Sequence, residues 1–436
     1  MSTNLLESFR QAYRNLELLP LLTQKELDSF GVNYGGDVIE ELEQLVEDSP
    51  SGDSKIVFAG HRGCGKSTLL AEFSRRLEKR YFVVFFSISD LIEMSDVNHI
   101  NILFAIAVRL MEEAEKRQVQ IKKSTKESFY KWFATQTRVE SDEVSTDTSV
   151  GFDLFKIITG KLKADATIRN EIKQEFVRKI SDLIARINEI AAVVQVATST
   201  KILVIIDDLD KLDLVVVREI YQDHIKALFQ PQFRVIFTIP IAALREVSLR
   251  AVIETETNDQ IVLMPIAKLF GKGESRETIP IPQFKPTATF ADILGRRVPD
   301  NLIETYTTEQ IILYSGGVLR ELIRIANECC RICLRLIRRN PHDETVKINQ
   351  DVLEEALNNL RNDFATPLGK AEYEILQITY QEFAPEDPKE QKFLDLLHGL
   401  YVLEYRNNDI WYDIHPVVVD LLRKKGLING TSIHNT

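Results

Sequence analysis

The stretch FAGHRGCGKSTLL, Phe58 to Leu70, follows directly on the apolar residues KIV and leads into AEFSRRLEKR. From Gly60 to Ser67 it satisfies G-x4-G-K-[ST] without a mismatch. KIVFA reads as a buried strand, and STLLAEFSRRLEKR places apolar residues at helical spacing, so the glycines lie in a strand-to-helix turn. Such a turn can aim several backbone N–H groups at one anion, and the helix N-terminus adds its partial positive charge. The expected cradle is Gly60, Gly63, Cys64, Gly65, Lys66, Ser67 and Thr68, with Lys66 reaching the β- and γ-phosphates of a nucleotide and Ser67 ligating Mg²⁺. The bland alternative is a glycine-rich turn with no ligand.

A phosphate-bound Mg²⁺ calls for a carboxylate at the end of a second strand. Residues 201–210, KILVIIDDLD, supply five consecutive apolar positions and then acids, the pattern of a central parallel strand whose C-terminal end faces a ligand. Asp207 is the expected Mg²⁺ carboxylate. Asp208 would orient or deprotonate the attacking water, with Asp210 in reserve; alternatively the acids merely open a loop. YFVVFFSIS (81–89), FRVIFTIP (233–240) and NDQIVLMPI complete an α/β, doubly wound parallel sheet of five strands. One amphipathic helix, VVREIYQDHIKALF, is expected after the acids, and Thr238, at a strand tip, is placed to sense the γ-phosphate.

Composition narrows the classes. The 436 residues are 44% hydrophobic and 27% charged, ordinary for globular domains, and the net charge of −11 argues against a surface coated for nucleic acid. Arg320, Arg324, Arg331, Arg335, Arg338 and Arg339 lie in one helical region, read as a solvated face or a local basic one. Three of the four cysteines, at 329, 330 and 333, sit in the apolar helix IANECCRICLRLI, where buried thiols are expected rather than metal ligands. No run of eighteen apolar residues exists and MSTNLLESFRQAYRN lacks the apolar stretch of a signal peptide, so a cytoplasmic protein without membrane contact is expected.

Lys66 and Asp207 are much farther apart than two βα units of about 30 residues require. The excess is a helical insertion at about 116–200, where Phe176, Ile180, Leu183, Ile184, Ile187 and Ile190 outline one long amphipathic helix and residues 135–150 a loop. The insertion either packs on its own core or offers a partner surface. Four segments result: 1–45, helical and base-wrapping; 46–289, the phosphate-loop core; 290–365, a helical lid; 366–436, two or three helices with the hairpin LYVLEYR/DIWYDIH, a winged helix.

The order of phosphate loop, strand ending DDLD, lid with SGGVLREL and winged helix ending YDIHPVVVDLL resembles the STAND class of signalling ATPases and the origin-recognition branch of AAA+ proteins. The resemblance implies ATP or ADP as cofactor with Mg²⁺, slow hydrolysis and homo-oligomers. It implies an arginine from SGGVLREL, Arg320, reaching the phosphates, although a structural arginine also fits. IHPVVVDLL is similar to the Met-His-Asp motif of STAND proteins, which makes His415 the residue expected at the β-phosphate of ADP, with Ile414 and Pro416 departing from that motif; a hairpin-packing histidine is the alternative. GVNYGGDVIEELEQLV is similar to the segment that wraps the adenine, so Val32 and Tyr34 are expected base contacts. The absence of a guanine-specific Asn-Lys-x-Asp sequence favours ATP. STAND proteins carry effector and sensor domains for which this chain shows no motif, so the resemblance implies a separately encoded effector or sensor partner, as in antiphage defence. The competing expectation is a DNA-loading ATPase that grips duplex with its winged helix.

Overall fold

The apolar runs of the sequence form the strands of one sheet. The structure, a computed structural model, describes residues 2–139, 148–406 and 409–429. In chain order come α1 (Ser2–Asn15), α2 (Gln24–Phe30), α3 (Gly36–Asp48), β1 (Lys55–Gly60), α4 (Lys66–Leu77), β2 (Tyr81–Ser87) and α5 (His99–Lys116). There follow α6 (Lys123–Thr137), α7 (Thr148–Ala164), α8 (Ala166–Val177), α9 (Ile180–Thr198), β3 (Lys201–Asp207), α10 (Leu214–Arg218), α11 (Ile225–Leu228), β4 (Arg234–Pro240), α12 (Val247–Thr257) and β5 (Ile261–Met264). The chain continues with α13 (Phe284–Gly295), α14 (Thr305–Tyr314), α15 (Leu319–Arg339), α16 (Gln350–Ala365), α17 (Lys370–Glu382), α18 (Gln391–His398), β6 (Val402–Arg406), β7 (Ile410–Ile414) and α19 (Pro416–Lys424).

Two compact units arise, one from residues 37–59 and 69–263, the other from residues up to 36, 60–68 and from 264 onward. The first holds the five-stranded parallel sheet, ordered β2-β3-β4-β1-β5, with Tyr81 to Ser87 registered on Lys201 to Asp207 and Leu203 to Ile206 on Arg234 to Phe237. Ile202 to Ile206 and Arg234 to Pro240 are buried throughout, as a parallel strand covered on both faces requires. The strand order turns at β1, which lies between β4 and β5; such reversals are where open α/β sheets place ligands, at the carboxyl ends of the strands.

The insertion packs on its own core. α5 is apolar nearly all round because β2 lies against one side and α7, α8 and α9 against others. Tyr130 and Phe133 meet Phe155 edge-on at 5.7 and 5.2 Å, and Trp132 meets Phe133 at 4.8 Å. Buried Arg169 ties the insertion down, forking onto Asp96 at 2.8 and 2.6 Å and donating to the carbonyls of Leu162 and Lys163. Two expectations need correction. The single long helix is two: Phe176 sits 6.2 Å from Trp132, Val177 turns to solvent, and the chain re-aims before Ile180. The helix after the acids is likewise broken, by a π-helical turn at Glu219–Asp223 in which Ile220 and Tyr221 are both buried. Of the expected loop at 135–150, Thr137 ends α6, Thr148 begins α7, and 140–147 lie outside the described residues.

In the second unit α15 buries Leu322, Ile325, Ala326, Cys329, Cys330 and Cys333, and its cysteines are free buried thiols as expected. Arg324, Arg331 and Arg335 pair with Asp363, Glu328 and Glu355, which neutralises these three arginines of the row. Asn327 of α15 donates to the carbonyl of Leu16, just after α1, at 3.1 Å. β6 and β7 form an antiparallel hairpin from Val402–Ile414 to Arg406–Ile410, with α17 against β7 and α18 against β6, while α19 packs on α16; residues 407 and 408 of its turn lie outside the described residues. Between α14 and α15, Gly317 has φ +79°, and a Cβ there would lie 1.8 Å from the Ala267 carbonyl oxygen, so only glycine permits this bend. Arg276 stacks 3.8 Å from the rings of both Tyr380 and Phe383 and pairs with Asp413 at 2.6 Å, fastening the segment after β5 to the hairpin. Among the described residues no helix is long and apolar enough to cross a membrane.

Candidate nucleotide site

β1 ends at Gly60, and α4 begins at Lys66, so Lys66, Ser67 and Thr68 form the first turn of a helix whose N-terminus faces the loop. Gly63 has φ +76°, its carbonyl accepts the Arg320 N–H at 3.0 Å, and a Cβ would lie 2.3 Å from that of Arg320. Backbone conformation and close approach therefore both demand glycine. Leu319 and Tyr34 lie over Gly65, and Met264 and Cys64 crowd Gly60. Lys66 is buried; its Nζ donates to the carbonyls of Gly60 at 3.1 Å and His61 at 2.7 Å and stands 3.7 Å from the Cys64 Sγ. The Thr68 hydroxyl accepts the Leu21 N–H at 3.0 Å, and Ser67 is half-buried.

The Tyr34 hydroxyl donates to the Pro265 carbonyl at 3.3 Å, its ring meets Phe290 edge-on, and burial followed by the nearby Cys64 pushes the phenol pKa well up. Val32 is half-buried in the same segment. Arg320 places its aliphatic stem over Gly63 and keeps an exposed head. Arg297, by contrast, is buried on the Phe30 ring with its guanidinium donating to the Ile293 and Phe30 carbonyls, and Arg296 pairs with Asp292, so both are structural. His415 is fully buried: its Nδ1 accepts the Val417 N–H at 3.3 Å as the cap of α19, its ring lies 5.1 Å from Phe364, and its Nε2 is 4.0 Å from the Glu321 carboxylate. Burial, then the Arg324 charge, pushes this imidazole down to about 3, so it is neutral.

One residue of the loop escaped the motif reading. His61 Nε2 accepts the backbone N–H of Glu404 in β6 at 2.9 Å, with both residues buried. The G-x4-G-K-S pattern leaves that position unspecified, and nothing in the sequence pairs it with a strand some 340 residues away.

In the sheet-bearing unit Asp207, Asp208 and Asp210 are all buried, and one carboxylate oxygen from each lies within 4.8 Å of the others. Asp208 takes φ +69°; its Oδ2 accepts from Ser87 at 2.6 Å and Ser89 at 3.1 Å, and its Oδ1 pairs with Lys211 at 2.6 Å. Burial raises the Asp208 pKa, but the bonds and charge of Lys211 and the serine hydroxyls outweigh it and hold the group below the ordinary carboxylate value. Thr238 is fully buried, and its hydroxyl accepts the Leu209 N–H at 3.0 Å and donates to the Ile206 carbonyl at 3.3 Å, pinning the chain where β3 turns into the acids. Neighbouring buried carboxylates form an oxygen-only donor set that suits a hard cation, and the glycine cradle with its lysine suits a polyphosphate; both groups fit the residues present.

Residues 36–228, under half of the chain, match the family model described as AAA ATPase domain. No curated protein matches the chain. Among solved structures, the Aeropyrum pernix ORC1 protein in complex with DNA is similar at 10% identity and TM-score 0.39, over 93% of this chain and 96% of that one. CDC6P from Pyrobaculum aerophilum has 11% identity and TM-score 0.37 over 92% and 98%, and the Aeropyrum pernix ORC2 protein in ADPNP and ADP complexes 12% and 0.42 over 96% and 99%. Residues 36–228 are thus similar to the AAA ATPase domain.

Proposed function

We propose that the chain is an ATP-binding and slowly ATP-hydrolysing switch in which the lid reads the state of the phosphate loop. The observation that carries this reading is the 3.0 Å bond from the Arg320 N–H to the Gly63 carbonyl, with Gly63 too close to Arg320 for any side chain between them. A loop that re-forms around phosphates moves that carbonyl, and the lid must follow or detach. In this reading Lys66 and the loop amides hold the phosphates, Val32 and Tyr34 border the base, Ser67 and Asp207 hold Mg²⁺, and the Arg320 head contributes positive charge. Bound Mg²⁺ supplies neutralisation of the phosphate oxygens. Asp208, ionised and held by three donors, orients the attacking water, and Asp210 is the alternative acceptor of its proton. Thr238 acts by fixing these acids, and His415 holds the lid to a C-terminal winged helix as a neutral cap. The partner of the switch is a separately encoded effector or sensor, with antiphage defence as the setting suggested by resemblance.

The second reading is a DNA-loading ATPase whose winged helix binds duplex. Its cations weigh against it: Arg406 pairs with Glu404, Arg423 with Asp420 and Lys392 with Glu372, while Lys424 donates to Asn358 and Lys425 lies over Tyr373. A phosphate backbone would have to take these cations from their present partners. Light scattering with nucleotide analysis decides between the readings. The switch predicts a closed protomer with ADP that assembles when a non-hydrolysable ATP analogue replaces it; assembly only after duplex DNA is added establishes the second reading instead.

A further inference from the structure

His61 occupies the first variable position of the phosphate loop, and its two ends are engaged in different elements. Its carbonyl receives the Lys66 ammonium at 2.7 Å, and its Nε2 receives the Glu404 N–H at 2.9 Å. Among the described strands β6 pairs with β7 alone, so the second bond falls on its outer edge. Glu404 faces Tyr412 in the hairpin register, and the Tyr412 N–H goes outward to the Phe383 carbonyl, so the pair exchanges no bonds and the Glu404 N–H points away from β7. An unbonded N–H there would be buried, at a cost of one lost hydrogen bond, and the imidazole removes that cost. Because the donor is a backbone N–H, Nε2 must be the unprotonated nitrogen of the ring. On the adjacent residues of β6 Tyr405 donates its hydroxyl to the Gly316 carbonyl at 2.7 Å and Leu403 lies against Gly316, so the glycine bend and the phosphate loop contact β6 at neighbouring positions.

We infer that His61 is the positioning residue through which occupancy of the phosphate loop, by diphosphate and triphosphate alike, controls the β6–β7 hairpin, an inference that rests on the nucleotide-binding part of the switch reading and not on its discrimination of ADP from ATP. The Lys66 ammonium cannot give the same hydrogens both to the His61 and Gly60 carbonyls and to phosphate oxygens. When a nucleoside diphosphate or triphosphate takes the lysine, the His61 backbone loses its tie to the ammonium and the imidazole leaves the Glu404 N–H. Nucleotide binding is thereby converted into release of a strand edge in the C-terminal module, without any residue of that module touching the ligand.

The test is hydrogen exchange of peptides spanning 400–415 in the full chain, with and without a fluorescent ADP analogue whose binding is followed in parallel. In the wild type, ADP should speed exchange of the β6 amides roughly tenfold, the loss of about one buried hydrogen bond. His61→Ala should show that fast exchange already without ADP and no further response, while α15 peptides keep their protection and so report an intact fold. His61→Gln, whose Oε1 can take the place of Nε2, should restore both protection and response; a residue that only filled space would not be rescued by an acceptor. If the analogue binds and the hairpin responds equally in wild type and His61→Ala, or if His61→Gln behaves as His61→Ala, the inference fails while the switch reading stands. If the analogue does not bind the wild type, both fall.

Discussion

Replacing His415 with asparagine separates two roles for the histidine. Folded, the imidazole is held down to about 3 by burial and then by Arg324, whereas an unfolded histidine titrates near 6.5. Between those values the unfolded chain binds the extra proton, so the folded state loses stability as pH falls through 6.5, loses nothing above it, and loses nothing more below about 3. At pH 5 about 1.5 units of the window have been crossed, which at about 1.4 kcal/mol per unit amounts to roughly 2 kcal/mol. Asparagine keeps the cap on Val417, because its side-chain oxygen accepts the same N–H, and it does not titrate. Loss of the ring against Phe364 adds a cost that is independent of pH. The expected result is that His415→Asn is less stable than wild type at pH 7.5 but regains about 2 kcal/mol relative to it by pH 5. Urea unfolding followed by Trp411 fluorescence in a Trp132→Phe background reads this, since Trp411 lies in β7 and reports the unit that holds His415. A stability difference that stays constant from pH 7.5 to 5, or a proton resonance titrating near 6.5 that is lost in His415→Asn and so belongs to His415, refutes the buried neutral cap.

Lys66→Ala should weaken binding of a fluorescent ADP analogue at least about thirtyfold, the scale of a charge-assisted hydrogen bond, with the circular dichroism of the fold unchanged; equal affinity in both proteins rejects the cradle. Asp208→Asn keeps an acceptor for Ser87 and Ser89 but loses the charge facing Lys211, so single-turnover ATP hydrolysis should fall by roughly 10²-fold with affinity within about twofold. Undiminished hydrolysis would move the water-orienting role to Asp210.

The phosphate loop and the strands were legible because both are local. Glycines at fixed spacing between an apolar run and a helical pattern describe one physical object, and Ile202 to Ile206 can be buried on both faces only inside a parallel sheet. Helix continuity was less legible. The stripe through Phe176 to Ile190 and the run Val216 to Phe229 each keep helical spacing, but Trp132 draws Phe176 one way, and a π turn at Glu219–Asp223 interrupts the second run. Those decisions belong to partners distant in sequence. The reading of buried thiols at Cys329, Cys330 and Cys333 needed only their spacing on an apolar helix, and it agrees with the structure.

Sequence by itself determined that a strand, a glycine-rich loop and a helix follow one another at Lys55 to Leu77, and that acids end a buried strand at Asp207, since backbone conformation and apolar periodicity are properties of neighbouring residues. It could not decide what the loop touches. That Gly63 must be bare because Arg320 crosses it, that Thr238 is occupied with Leu209, that His415 faces Phe364 and Glu321, and that His61 caps the edge of β6 all depend on pairs far apart along the chain. Such pairs are created by packing, and only the folded chain brings the donor, the acceptor and the excluded volume to the same place.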